Sequence, residues 1–108
     1  MIKIEYKEEI YTLEWDRRTI MWIEQQGLSL INLQDQVFTS IYLLFKGMLK
    51  KHHSLIATND SKVESLLDEL LRNGFNQQEF LGVAIEELQA FMETTQTSSK
   101  NKVVMTKS

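Results

Sequence analysis

The stretch from Val37 to His53 constrains the fold more than any other part of the chain. Val37, Phe38, Ile41, Leu44, Phe45, Met48, Leu49 and His52 recur at helical spacing, so one face is apolar for about four turns. With Tyr42 included the apolar sector spans about 160°, against about 100° for a helix that covers a core from one side. A helix this apolar packs at the centre of a bundle or shares its face with a partner, and central packing is the expectation adopted. Leu43 falls on the opposite side, among Thr39, Lys46 and Lys50. The flank of Tyr42, Leu43, Leu49 and His53 is the candidate partner surface, because spare apolar area marks docking and Tyr is common in interface cores. Lys50, Lys51, His52 and His53 close the stretch, with positive charge where a helix dipole favours it. Gly47 costs up to about 1 kcal/mol relative to Ala there, and marks either a close helix crossing or a tolerated glycine.

The N-terminal residues follow a different period. Ile2, Ile4 and Tyr6 alternate onto one face, and Tyr11, Leu13 and Trp15 share a face on the next run. With Lys7, Glu8 and Glu9 between them, these runs predict a β-hairpin. A lone hairpin is marginal in water, so its apolar face should lie on the helices.

Asp16 is placed to cap a helix from Arg17 to about Gln26, with Ile20 and Ile23 inward, Trp22 beside them and Gly27 as the stop. A connector anchored by Leu28, Leu30, Ile31 and Leu33 leads to the long helix, predicted from about Gln34 to Lys51. Ser54 to Asn59 reads as a loop. Ser61 with Glu64 matches a capping box ahead of Val63, Leu66, Leu67, Leu70 and Leu71, a regular amphipathic repeat that ends at Asn73-Gly74. Asn76 with Glu79 repeats the capping logic. Phe80, Leu81, Ala84, Ile85, Leu88, Phe91 and Met92 then form an inner stripe, with Glu79, Glu86, Gln89 and Glu93 outside. The expected fold is mainly α: an N-terminal β-hairpin packed on a bundle of about four helices, one domain over residues 1–95, and a flexible polar tail over 96–108.

Composition narrows the function. The chain of 108 residues is long enough for one modest core. It has no cysteine, which excludes disulfides and thiolate zinc sites, and no proline. No apolar run approaches the roughly 18 residues that span a bilayer, and the start lacks the apolar stretch of a signal peptide. A cytoplasmic protein is expected. Residues 60–95 carry eight acidic and two basic side chains, whereas residues 96–108 carry three lysines and no acid. An acidic body is a poor partner for phosphate backbones, so nucleic acid is not an expected ligand.

Catalytic and metal-binding patterns are weak. His52 and His53 are adjacent, and neighbouring helical side chains diverge by about 100°, so they do not grip one ion as an i, i+4 pair would. The favoured reading is a partly buried His52 and a charge partner in His53. Asp68-Glu69 and Glu86-Glu87 belong to water-facing helix surfaces, not to the apolar cleft that acid–base carboxylates need. There is no nucleophile elbow and no glycine-rich phosphate loop. The expectation is a protein without catalytic residues, cofactor or metal.

Two segments, taken in order, resemble a known family. The first runs from Ile4 to Ile20 (IEYKEEIYTLEWDRRTI) and continues in Glu24 to Leu30 (EQQGLSL). The second is Leu43 to His53 (LLFKGMLKKHH). Together they resemble tail assembly chaperone-like proteins of long-tailed phages and prophages of Gram-positive bacteria. The resemblance covers residues 2–93 and departs at Ser54, where relatives often have Pro. It implies a helical protein of the bacterial host cytoplasm that binds the tape measure protein and helps recruit tail tube protein. Self-association is left open as a further contact, because the sequence does not give the oligomeric state. It also implies a longer product made by a −1 ribosomal frameshift. Lys100-Asn101 can be encoded by a slippery A-AAA-AAC, the last A of the Ser99 codon completing the heptamer. The alternative is a small acidic adaptor that binds another phage or host protein. A DNA-binding regulator and a small enzyme are the remaining, less favoured classes.

Overall fold

The structure is a computed structural model and describes residues 1–28 and 37–97. Strands β1 (Ile2–Tyr6) and β2 (Glu9–Leu13) form an antiparallel hairpin, followed by α1 (Arg17–Gln25), α2 (Val37–Leu49), α3 (Ser54–Ala57), α4 (Asp60–Arg72) and α5 (Gln77–Thr97). The mainly α fold with an N-terminal hairpin is as the sequence predicts.

Strand register sets Ile2 opposite Leu13, Ile4 opposite Tyr11 and Tyr6 opposite Glu9. The turn is therefore Lys7-Glu8 alone, and Glu9 joins the strand. Lys7 and Glu8 both have positive φ, 49° and 65°. A two-residue hairpin turn needs that conformation, which Asn and Gly adopt more cheaply than these residues. Tyr6 and Lys7 bind the hairpin tip to α4. The Tyr6 hydroxyl donates to Glu69 Oε1 at 2.9 Å, and Lys7 Nζ to the same oxygen at 2.7 Å.

Asp16 caps α1 by accepting from the Thr19 N–H, and Gly27 leaves the helix with φ +85°. Asn76 accepts from the Glu79 N–H at 3.0 Å ahead of α5. The start of α4 differs from expectation. Its N-cap is Asn59, not Ser61, because extended backbone at Asn59 brings the amide oxygen to the Lys62 N–H. The segment Ser54 to Asn59 is not a plain loop. Ser54–Ala57 makes one helical turn, held by Ala57 N–H to His53 O at 2.9 Å, and it buries Ala57 completely. Ser54 is the first residue of that turn, a position where a helix tolerates Pro.

Helix α2 is the centre of the bundle and packs against α1, β2, α3, α4 and α5. Ile41, Leu44, Phe45, Met48 and Leu49 are all buried. Phe45 meets Phe75 and Phe80 edge-on, at ring separations of 6.4 and 6.3 Å. Such edge contacts add to the burial of apolar area. Gly47 marks a close crossing: a Cβ there would stand 3.2 Å from Ile23 side-chain atoms and from Thr19 Cγ2. The Thr19 hydroxyl donates to Gly47 O at 3.1 Å, so this nearly fully buried polar group of α1 is satisfied at the same crossing.

Three residues of the predicted apolar stripes lie outside the core. Phe38 is 80% exposed and Met92 49%. Each follows or precedes a buried aromatic or half-buried aliphatic on its own face by seven residues, about 10.5 Å along the axis, and so lies past the end of the packed layer. His52 is exposed because α2 stops at Leu49, before Lys50 and Lys51. Helix α5 continues to Thr97, beyond the predicted boundary at residue 95. The anchors Leu30, Ile31 and Leu33, the predicted helix start at Gln34, and Lys100-Asn101 lie outside the described residues.

Candidate functional site

The first turns of α2 and the middle of α4 leave a groove between them. Phe38, Ile41 and Tyr42 line one side, Leu67 and Leu71 the other, with Glu64 and Asp68 along α4 and Gln77 at the start of α5. The helical repeat explains the arrangement. Residues 38, 41 and 42 share a face of α2, and 64, 67, 68 and 71 share a face of α4. Ile41 and Leu67 are buried in its floor, Tyr42 and Leu71 are half-buried, and Phe38 stands at its rim.

Tyr42 ties the groove to the start of α4. Its hydroxyl donates to Asp60 Oδ1 at 3.2 Å, and Lys46 pairs with the same carboxylate. Burial, with the Asp60 charge adding to it, pushes the Tyr42 hydroxyl up to about 12, so it remains a donor at neutral pH. The Lys46 ammonium holds the Asp60 carboxyl below its ordinary value. The result is an apolar slot with a carboxylate edge, a shape suited to an amphipathic helix carrying basic residues beside its apolar stripe.

The four residues expected to form one partner surface are separated. Tyr42 lines the groove. Leu43 is half-buried against the core. Leu49 is fully buried and belongs to no surface. His53 is half-buried at the start of α3, where its Nε2 accepts from the Thr12 N–H at 2.9 Å and its ring lies 5.7 Å from that of Tyr11. Leu49 and His53 leave the candidate surface because α2 ends between them and the chain turns back onto the hairpin. Phe38, assigned to the core by its spacing, takes their place. Its exposure has no signal in the periodicity, which shows the face a residue occupies but not how far the core extends along it.

The Lys50 to His53 cluster has intramolecular partners. Lys50 Nζ lies 3.8 Å from the centre of the Trp22 ring, a cation–π contact. Burial pushes the Lys50 ammonium down, and the neighbouring Lys46 charge adds to that. Lys51 pairs with Glu14, and His52 Nε2 lies 3.4 Å from the other Glu14 oxygen. Among the described residues no group of three or more His, Cys, Asp or Glu side chains is placed to hold a metal ion. Among the same residues no helix is long and apolar enough to cross a membrane.

Comparison with known proteins gives a family. The chain matches the model of a domain of unknown function (DUF5055) over residues 1–108, and it belongs to that family. No curated protein and no solved structure matches it.

Proposed function

We propose that this chain is a binding protein without catalytic function, and that it acts as a tail assembly chaperone in the bacterial host cytoplasm. Its client would be the tape measure protein, held through an apolar helical segment in the α2–α4 groove until tail tube subunits replace it. The exposed Phe38, above a floor of Ile41, Tyr42, Leu67 and Leu71, carries this reading. An 80% exposed Phe at the mouth of an apolar slot is an anchor that gains its burial energy only when a partner arrives. Glu64 and Asp68 favour a client helix with lysine or arginine beside its stripe. The resemblance of Ile4–Ile20 and Leu43–His53 to phage tail proteins supplies the identity of that client.

The test is co-purification with a tape measure protein from the same phage or prophage, comparing the wild type with Phe38→Asp. The proposal expects a complex with the wild type and at least about a tenfold loss of affinity with the variant, whose thermal midpoint stays unchanged because Phe38 packs little. No complex with the tape measure protein, or one indifferent to Phe38→Asp, overturns it. Groove-dependent capture of some other phage or host protein would establish the acidic adaptor instead.

A further inference from the structure

The two edges of the hairpin are treated differently. Tyr6 and Glu9 close a two-residue turn and exchange backbone hydrogen bonds, so Ile2, Ile4 and Tyr6 direct their N–H and C=O groups toward β2. On the outer edge of β2 the N–H of Thr12 is occupied, as is that of Glu14 just past the strand. Thr12 donates to His53 Nε2, and Glu14 to Met48 O at 3.1 Å. The outward groups of β1 belong to Lys3 and Glu5. Among the described residues nothing pairs with them, and their side chains are exposed. Beside this edge runs a groove lined by Ile2, Ile4, Phe75, Phe80 and Val83.

We propose that this edge is a self-association surface, and that its occupant is β1 of a second copy, joined antiparallel with Ile4 opposite Ile4 to give a four-stranded sheet. The register is written in the sequence Ile2-Lys3-Ile4-Glu5-Tyr6, which is self-complementary about Ile4. Lys3 of one copy lies opposite Glu5 of the other, twice by symmetry, and both residues have outward-facing backbone groups to exchange. The paired charges sit on the exposed face. Ile2 meets Tyr6 of the second copy on the other face, which extends the apolar side over the groove.

Other registers are penalised. A slip of two residues sets Lys3 against Lys3 or Glu5 against Glu5, and like charges directly opposite are destabilising. A slip of one residue sets the outward groups of Lys3 against Ile4, whose own N–H and C=O already face β2, so no ladder forms. Charged edge residues ordinarily discourage pairing. Here the alternation of sign excludes the wrong partners and admits one.

Sedimentation equilibrium on the full chain across micromolar to millimolar concentration tests this. The wild type should dimerise. Lys3→Glu and Glu5→Lys should each weaken the dimer at least about tenfold, by creating two like-charge pairs. The double variant Lys3→Glu/Glu5→Lys should restore it, and an equimolar mixture of the two single variants should form a heterodimer. Both sites are exposed, and circular dichroism confirms that each variant is folded. A monomeric wild type overturns the proposal, whether the edge is empty or occupied by another segment. So does a dimer that ignores the single reversals, or one that the double reversal fails to restore.

Discussion

The imidazole of His53 accepts a hydrogen bond from the backbone N–H of Thr12 across 41 residues of sequence. That N–H lies on the outer edge of β2, where water or another strand would otherwise satisfy it. The same junction takes the Glu14 N–H onto Met48 O, one of the carbonyls that the end of α2 leaves without a helical partner. The hairpin is thus held to the bundle by its backbone as well as by Leu13 and Trp15.

His53→Phe separates the two contributions of this side chain. The ring contact with Tyr11 is retained and the acceptor is lost. The half-buried N–H then loses its protein acceptor, which should cost about 1–2 kcal/mol in urea unfolding. A variant as stable as the wild type would mean that water replaces the imidazole without loss.

Gly47 measures how tightly α1 and α2 cross. Ala gains about 1 kcal/mol of helix propensity, and its Cβ must push Ile23 and Thr19 back by a few tenths of an ångström. These oppose each other, so Gly47→Ala should stay within about 1 kcal/mol of the wild type. Gly47→Val adds further atoms to a full site and should cost about 2–3 kcal/mol. Thermal denaturation of the pair tests the crossing.

Glu8 occupies the left-handed region at the hairpin turn without the freedom of glycine. Glu8→Gly removes a steric cost of about 1–2 kcal/mol and adds chain entropy to the unfolded state. The net expectation is a gain of up to about 1 kcal/mol. A loss of stability would show that the Glu8 side chain makes a favourable contribution at the turn.

Acid should loosen the attachment of the hairpin and the α2–α4 contact. Lys51 lowers the carboxyl of Glu14, Lys7 and then Tyr6 lower that of Glu69, and Lys46 lowers that of Asp60. Each folded carboxyl then titrates below its unfolded value, so its contribution is full above the unfolded carboxylate range of about pH 4 and is lost as pH falls through the folded value. Thermal midpoints should decline from about pH 5 downward, less steeply in Glu69→Gln. High salt should shrink the effect, because all three pairs are near the surface.

Trp15 joins the chain after β2 to α5, its indole N–H donating to Ala84 O at 2.9 Å in a buried site. Trp15→Phe keeps an aromatic ring and loses that bond and some volume. A destabilisation of about 1–3 kcal/mol is expected by chemical denaturation.

Much of this architecture is local and could be read from the chain. The alternation through Ile2, Ile4 and Tyr6, the caps at Asp16 and Asn76, and the repeat from Val63 to Leu71 each act within a few residues, where period and hydrogen-bond reach decide the outcome. The width of the apolar sector around Phe45 also placed α2 at the centre. What the sequence could not determine was where each apolar stripe runs out and what meets it there. Phe38 and Phe45 share a face, yet one is exposed and the other fully buried, because burial depends on the neighbours that tertiary packing brings to each turn. His53 and Leu49 looked like a surface flank until the end of α2 folded back on β2. That contact joins residues distant in sequence, and only the folded chain sets the distance between them.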